Sequence, residues 1–355
     1  MNSNASAVST AIRNPWLDFY RFAFALVIAL YHETDHCNAI FPRGRMAVYF
    51  FFLLSGYLAT ISIERQKADA RTNGGMGQFI ARKLLVVQPA LLITSILYVC
   101  VFIWHNNFSC NAFPHLAAQS ILADVFMLRM TGVENSFGNE VTWYISAMIL
   151  GIVILYPFIR KYGSSMYLLA AGILIIGLLK ITTGTLIPYF ATPMLGSYAG
   201  NYWGLGALAI GSVLPLFSNK FGGIFRSKAK HMACALLLAF ELYCIHQSEA
   251  GGESTHIVHD TLGIISMGLM IAIAAVPSSG PFRPTLISKI CTSLGKASLP
   301  FYLVHRSCIL ILSHVLPNVD TWQYITVYVA LTMALSAVIM VLASYIRRKA
   351  ARFYL

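Results

Sequence analysis

The sequence predicts an all-α protein: a polytopic transmembrane helical bundle of about ten spans, with a short re-entrant or interfacial helix near residues 117–129. Three observations carry this. Of 355 residues, 57% are hydrophobic and 11% charged, whereas soluble domains carry about 25% charged residues. Mean hydropathy is +0.68. Apolar runs long enough for a membrane helix recur along the chain, and the short alternating segments of a membrane barrel do not.

Residues 1–14 are small and polar and read as a cytoplasmic tail. No cleavable signal peptide is expected, because the apolar run that follows holds Arg21 and has no small-residue cleavage site behind it. Spans are expected near 15–35, 46–64, 80–104, 141–160, 165–187, 200–217, 231–247, 259–277, 297–316 and 322–346. The 13 semi-apolar residues at 117–129 are too few to cross. Residues 15–346 then form one membrane domain, and 347–355 a basic cytoplasmic tail.

The basic residues orient this layout. With the N-terminus inside and 117–129 not crossing, 19 of the 25 Lys and Arg fall on the cytoplasmic side. The outer loops hold Arg43, Arg45 and Arg129, and Arg21, Lys180 and Arg306 lie within apolar runs. This predicts an integral protein of the bacterial inner membrane with both termini cytoplasmic. The net charge of +12 is thereby accounted for, and no nucleic-acid module accompanies it. Seven cysteines include no Cys-x-x-Cys pair, which argues against a zinc or redox motif. Cys37, Cys110 and Cys244 would face the outside, where disulfides can form.

The stretch from Trp16 to Thr60 concentrates the polar chemistry. Arg21 and His32 are eleven residues apart on the first apolar run. That is about three helical turns, or ~16 Å, on nearly one face. Charged and titratable groups inside a membrane helix are costly and point to a polar cavity. His32-Glu33-Thr34-Asp35-His36 matches His-Glu-x-x-His, in which both histidines bind zinc and the glutamate is the base. An intramembrane zinc protease is therefore one alternative, weakened because no third ligand stands out. A transporter or exporter of a saccharide or anionic metabolite, with the buried charges lining its path, is another.

Four motifs in order resemble one family. Arg21 with ten residues before His32 is similar to the first-helix feature of the acyltransferase 3 family of integral membrane O-acyltransferases. Phe51-Phe52-Leu53-Leu54-Ser55-Gly56-Tyr57 is similar to its second-helix run. Thr142-Trp143-Tyr144-Ile145 resembles a helix of the saccharide-modifying branch, and Ser298 to His305 resembles a late Ser-x-x-x-Tyr-Leu-x-His stretch. One position departs: a histidine often found two residues before the tryptophan is Val141 here, preceded by Glu140.

The resemblance implies transfer of an acyl group, acetyl above all, from cytoplasmic acyl-coenzyme A to a hydroxyl of an exopolysaccharide, lipopolysaccharide or other envelope glycan. No metal is expected. It implies His32 as general base, since a neutral imidazole accepts a hydroxyl proton, with Glu33 or Asp35 to orient the ring. It implies Arg21 on the donor's phosphates, which a guanidinium holds by paired bonds. Ser55, Trp143, Tyr302 and His305 are the remaining candidates for holding the donor. Structural explanations stand beside these: Arg21 paired with Asp18, Ser55 packing a helix crossing, Trp143 and Tyr302 in an interfacial belt.

Overall fold

The computed structural model describes residues 14–33, 40–68, 74–106, 113–132, 138–222, 224–225, 228–247, 253–276, 285–317 and 319–354. Most of them are helical. Helix α1 is Pro15–His32, α2 Ala47–Ala68, α3 Met76–His105, α4 Phe113–Val125, α5 Trp143–Tyr162 and α6 Met166–Thr183. After a two-strand hairpin, β1 Pro193–Met194 and β2 Ser197–Tyr198, come α7 Ala199–Gly211, α8 Leu214–Phe221, α9 Lys228–His246, α10 Glu253–Ala274, α11 Leu286–Val315 and α12 Thr321–Tyr354. One-turn 3-10 segments at Gly44–Met46 and Glu140–Thr142 lead into α2 and α5.

Among the described residues, seven helices are long and apolar enough to cross a membrane: those spanning 44–68, 76–105, 140–162, 166–183, 256–274, 286–315 and 321–349. With the family established below, they make this an integral membrane protein. Three other expected spans fall short for local reasons. Helix α1 carries Asp18, Arg21 and His32, and α9 carries Lys228, Lys230 and Glu241. The span expected over 200–217 is broken, because α7 ends at Gly211 and Ser212–Val213 turn into α8. The short helix expected at 117–129 is present four residues earlier, at Phe113–Val125. The span expected at 297–316 starts at Leu286, because its first eleven residues are amphipathic rather than apolar.

Helix α1 lies inside the bundle. Tyr20, Phe24, Ala25, Val27, Ile28 and Ala29 are all buried, and its main partner is α11. Its start is fixed by Pro15 at the first helical position and by the Asn14 side chain, which accepts from Trp16 N at 3.0 Å. The same Asn14 donates to the Ala274 carbonyl, tying α1 to the end of α10. At the opposite end, Arg43 holds Asp260 of α10 through Nη2 at 2.5 Å and Nε at 3.1 Å. Helices α2 and α7 cross with backbone against backbone: a Cβ at Gly56 would strike the Leu208 carbonyl, and one at Gly211 the Leu53 carbonyl. Outward-facing apolar side chains such as Tyr167, Leu174 and Ile181 recur every seven residues along α6, as a lipid-facing stripe requires.

Lys180, in an apolar run, donates to the Gly184 carbonyl that ends α6. Cys244 is a buried free thiol, while Cys37 and Cys110 lie outside the described residues. The basic residues Arg347, Arg348 and Lys349, expected in a tail, continue α12 as helix.

Candidate active site

Helix α1 ends on His32, whose half-buried ring faces α11. His32 Nδ1 lies 2.9 Å from the Ile28 carbonyl, one turn back. On α11, His305 is fully buried, with Nδ1 2.6 Å from the Tyr302 carbonyl and Nε2 3.2 Å from His32 Nδ1. A carbonyl only accepts, so each Nδ1 carries a hydrogen. In neutral His305 the Nε2 lone pair then faces His32 Nδ1–H. That hydrogen is shared between Ile28 and His305, and His32 Nε2 is left as the ring's basic nitrogen. The rings sit 5.1 Å apart, tilted by 31°.

Behind this pair the site continues through aromatic and small side chains. Tyr302 lies 5.8 Å from His305 and 6.0 Å from Tyr144, measured between ring centres. Its hydroxyl donates to the Val141 carbonyl at 2.8 Å, which fixes the ring against the turn that starts α5. The Tyr144 hydroxyl meets Ser55 Oγ of α2 at 3.1 Å, and Ser55 also contacts Met148 Sδ at 3.2 Å. Arg21 stands 3.9 Å from Asp18. Asp18 fits there because Gly295 of α11 has no side chain to displace it.

Met148 also lines a cleft of about 440 Å³ near the Arg21 end, with Ser62, Gln66, Phe79, Arg82, Lys83, Val86 and Val87. The side chains from Lys83 and Met148 in the cleft through Ser55, Tyr144, Tyr302 and His305 to His32 therefore form one series of neighbours across the bundle. Among the described residues no cluster of three metal-ligating side chains forms.

The flank of the site rests on a buried polar network. Asp124 of α4 accepts from Arg129 Nε at 2.5 Å, Thr142 Oγ1 at 2.7 Å and Ser95 Oγ at 2.9 Å. Next to Thr142, the buried Asn139 donates to the Leu303 carbonyl of α11 at 2.7 Å. Glu140 thereby reaches Arg306, 3.7 Å away. The short helix α4 thus braces the turn that carries the site's outer rim.

Of the candidates read from sequence, the structure brings together His32, His305, Tyr302, Ser55 and, at the far end, Arg21. Trp143 goes elsewhere: its ring stacks on Phe190 at 4.9 Å and packs near Trp203 and Phe52. Its neighbour Tyr144 joins the series instead, a residue that sequence reasoning passed over. Neighbours on a helix diverge by about 100°, so only one of the two can face a given cavity. Glu33 follows His32 and is buried. Asp35 and His36 lie outside the described residues, so the second half of the His-Glu-x-x-His pattern does too.

A family model described as an acyltransferase domain matches residues 14–341 of the chain. The chain belongs to the acyltransferase 3 family. Membership covers every residue named above from the basic cleft to His32. The chain is also similar to a protein named amino-acid racemase from Enterococcus faecalis, 27% identical over 172 residues. That likeness takes in 46% of this chain and 21% of the racemase, so the chain spans about a fifth of that protein's length. No solved structure matches the chain.

Proposed function

We propose that this acyltransferase moves an acyl group, acetyl above all, from cytoplasmic acyl-coenzyme A to a hydroxyl of a cell-surface saccharide. It does so in the bacterial inner membrane, with both termini cytoplasmic. The observation that supports this best is the pair of contacts at His32 Nδ1. Ile28 and His305 occupy Nδ1, and Nε2 is left with its lone pair at the end of a series of neighbours that begins in a basic cleft. A base at one end and phosphate-binding cations at the other suit a donor with a phosphorylated head and a long thioester arm.

His32 Nε2 takes the proton of the acceptor hydroxyl as its oxygen attacks the thioester carbonyl. A carbon–oxygen bond forms, the carbon–sulfur bond breaks, and the proton passes from His32 to the departing thiolate. While His32 is cationic, its Nδ1–H donates to His305 Nε2, so the charge is spread over a fixed partner. His305 is in this reading a positioning residue. Arg82 and Lys83 of the cleft hold the phosphates together with Arg21. Ser55 and Tyr144, hydrogen-bonded to each other, offer their hydroxyls to one side of the arm.

Purified protein in lipid nanodiscs decides the matter. Binding of acetyl-coenzyme A, with acceptor-dependent release of free coenzyme A that is lost in His32→Ala, is the expected result. A protein that binds no donor, or whose turnover is indifferent to His32, is not working this way.

A further inference from the structure

Two arginines flank the base at the end of the series away from the donor cleft. Arg306 follows His305 on α11, and its side chain is 29% exposed. Arg45 sits in the 3-10 turn before α2, with its guanidinium 5.9 Å over the Tyr31 ring, itself 5.3 Å from the His32 ring. That approach exists because Gly44 lies directly against Tyr31 and the Val27 carbonyl, where a side chain would collide. Both guanidinium groups act electrostatically on His32.

The proposed chemistry does not call for this. A base that becomes cationic in the reaction is opposed by nearby cations unless an anion lies among them. Among the described residues the carboxylates at hand are the buried Glu33, which follows His32, and Glu140. Arg306 has one long contact with Glu140, which is 49% exposed, and a screened pair of this kind leaves most of the guanidinium's five donors available. No carboxylate among the described residues forms an ion pair with Arg45.

The geometry points to an acidic acceptor: the sugar that receives the acyl group itself carries a carboxylate or a phosphate, gripped between Arg45 and Arg306. Both anions match the planar guanidinium fork. Bound there, the anion offsets the two cations beside His32 and holds the neighbouring hydroxyl toward Nε2. Glu140 accepts hydrogen bonds from the sugar's other hydroxyls. This rests on the saccharide reading above, and its test separates the two.

Envelope glycans are compared by mass spectrometry between cells with the gene and cells without it, and the acyl group that disappears is mapped to a residue. Loss from a uronic or other carboxylate sugar, or from a phosphosugar, supports the inference, and the fragment masses tell the two anions apart. Loss from a neutral sugar overturns it while the saccharide reading stands. Loss from no glycan overturns the saccharide reading and the inference with it. Arg45→Gln and Arg306→Gln should each lower glycan acylation about 10- to 100-fold, keep acetyl-coenzyme A binding in the purified protein within about twofold, and recover in part as lysine variants. Undiminished acylation in both glutamine variants, or a matching loss of donor binding, overturns the assignment.

Discussion

His305 Nε2 stands 3.2 Å from His32 Nδ1, joining two imidazoles 273 residues apart in the chain. A base and the group that orients it act as a unit, so their removal should not be additive. His32→Ala is expected to lower kcat by about 10²–10⁴-fold. His305→Ala should lower it less, and the double variant should be no slower than His32→Ala alone. Steady-state rates with saturating acetyl-coenzyme A measure all three, and an additive double variant would mean that the rings work separately.

The pair also sets the acid limb of the pH profile. His32 must be neutral to accept a proton, and His305 must keep Nε2 unprotonated to accept from it. Activity should therefore fall as pH drops through the range in which the pair takes up its first proton. The limb should have a single-proton slope, because the first proton taken up by the pair already disables the base and its charge opposes a second. His305→Ala should move the limb's midpoint and leave that slope unchanged. A profile flat on its acid side contradicts the role of His32.

Arg21→Lys keeps the charge and loses the planar fork. The KM for acetyl-coenzyme A should rise about tenfold, with the KM for acceptor unchanged, because Arg21 is about three helical turns from His32. A donor KM equal to the wild type would leave Arg21 as no more than the partner of Asp18.

Much of this arrangement is visible in the sequence, for reasons that differ by residue. Spans such as 76–105 and 166–183 announce themselves because lipid demands unbroken apolar length. Helix α1 is legible although Asp18 and Arg21 lower its hydropathy, since Arg21 and His32 fall on one face at helical spacing. The break at Ser212–Val213 is not legible, because α7 and α8 are both apolar and neither residue forbids a helix. The contact between His32 and His305 cannot be read at all. It depends on how α11 packs along α1, and hydropathy carries no information about such long-range registration. Tyr144 was hidden by Trp143, the larger ring beside it.

The Asp124 network offers a test of the scaffold. Asp124→Ala removes the carboxylate that Arg129, Thr142 and Ser95 share. Breaking a buried ion pair from one side costs about 3–5 kcal/mol, so thermal unfolding in detergent should begin at clearly lower temperature. Glycan acylation should fall further than donor binding, since Asn139 and Glu140 lie on the same turn. An unchanged unfolding temperature would show that α4 is not bracing the site.

Gly56→Leu should destabilise as well, by about 1–3 kcal/mol for an overpacked contact, because its side chain would have to enter the Leu208 carbonyl. Gel filtration in detergent should show less monodisperse protein than for a Leu54→Ile control.

The crossing of α2 and α7 also constrains how the protein can deform. Where Gly56 rests on Leu208 and Gly211 on Leu53, no flexible side chains lie between the two backbones to act as a lubricating layer. Shear by even one residue would drive a side chain into a carbonyl, so these helices behave as a welded joint rather than a bearing. Whatever opening admits the acceptor or lets the spent thiol leave must be accommodated by helices that meet through side chains, such as α11 against α12, while the welded pair carries Ser55 along unmoved.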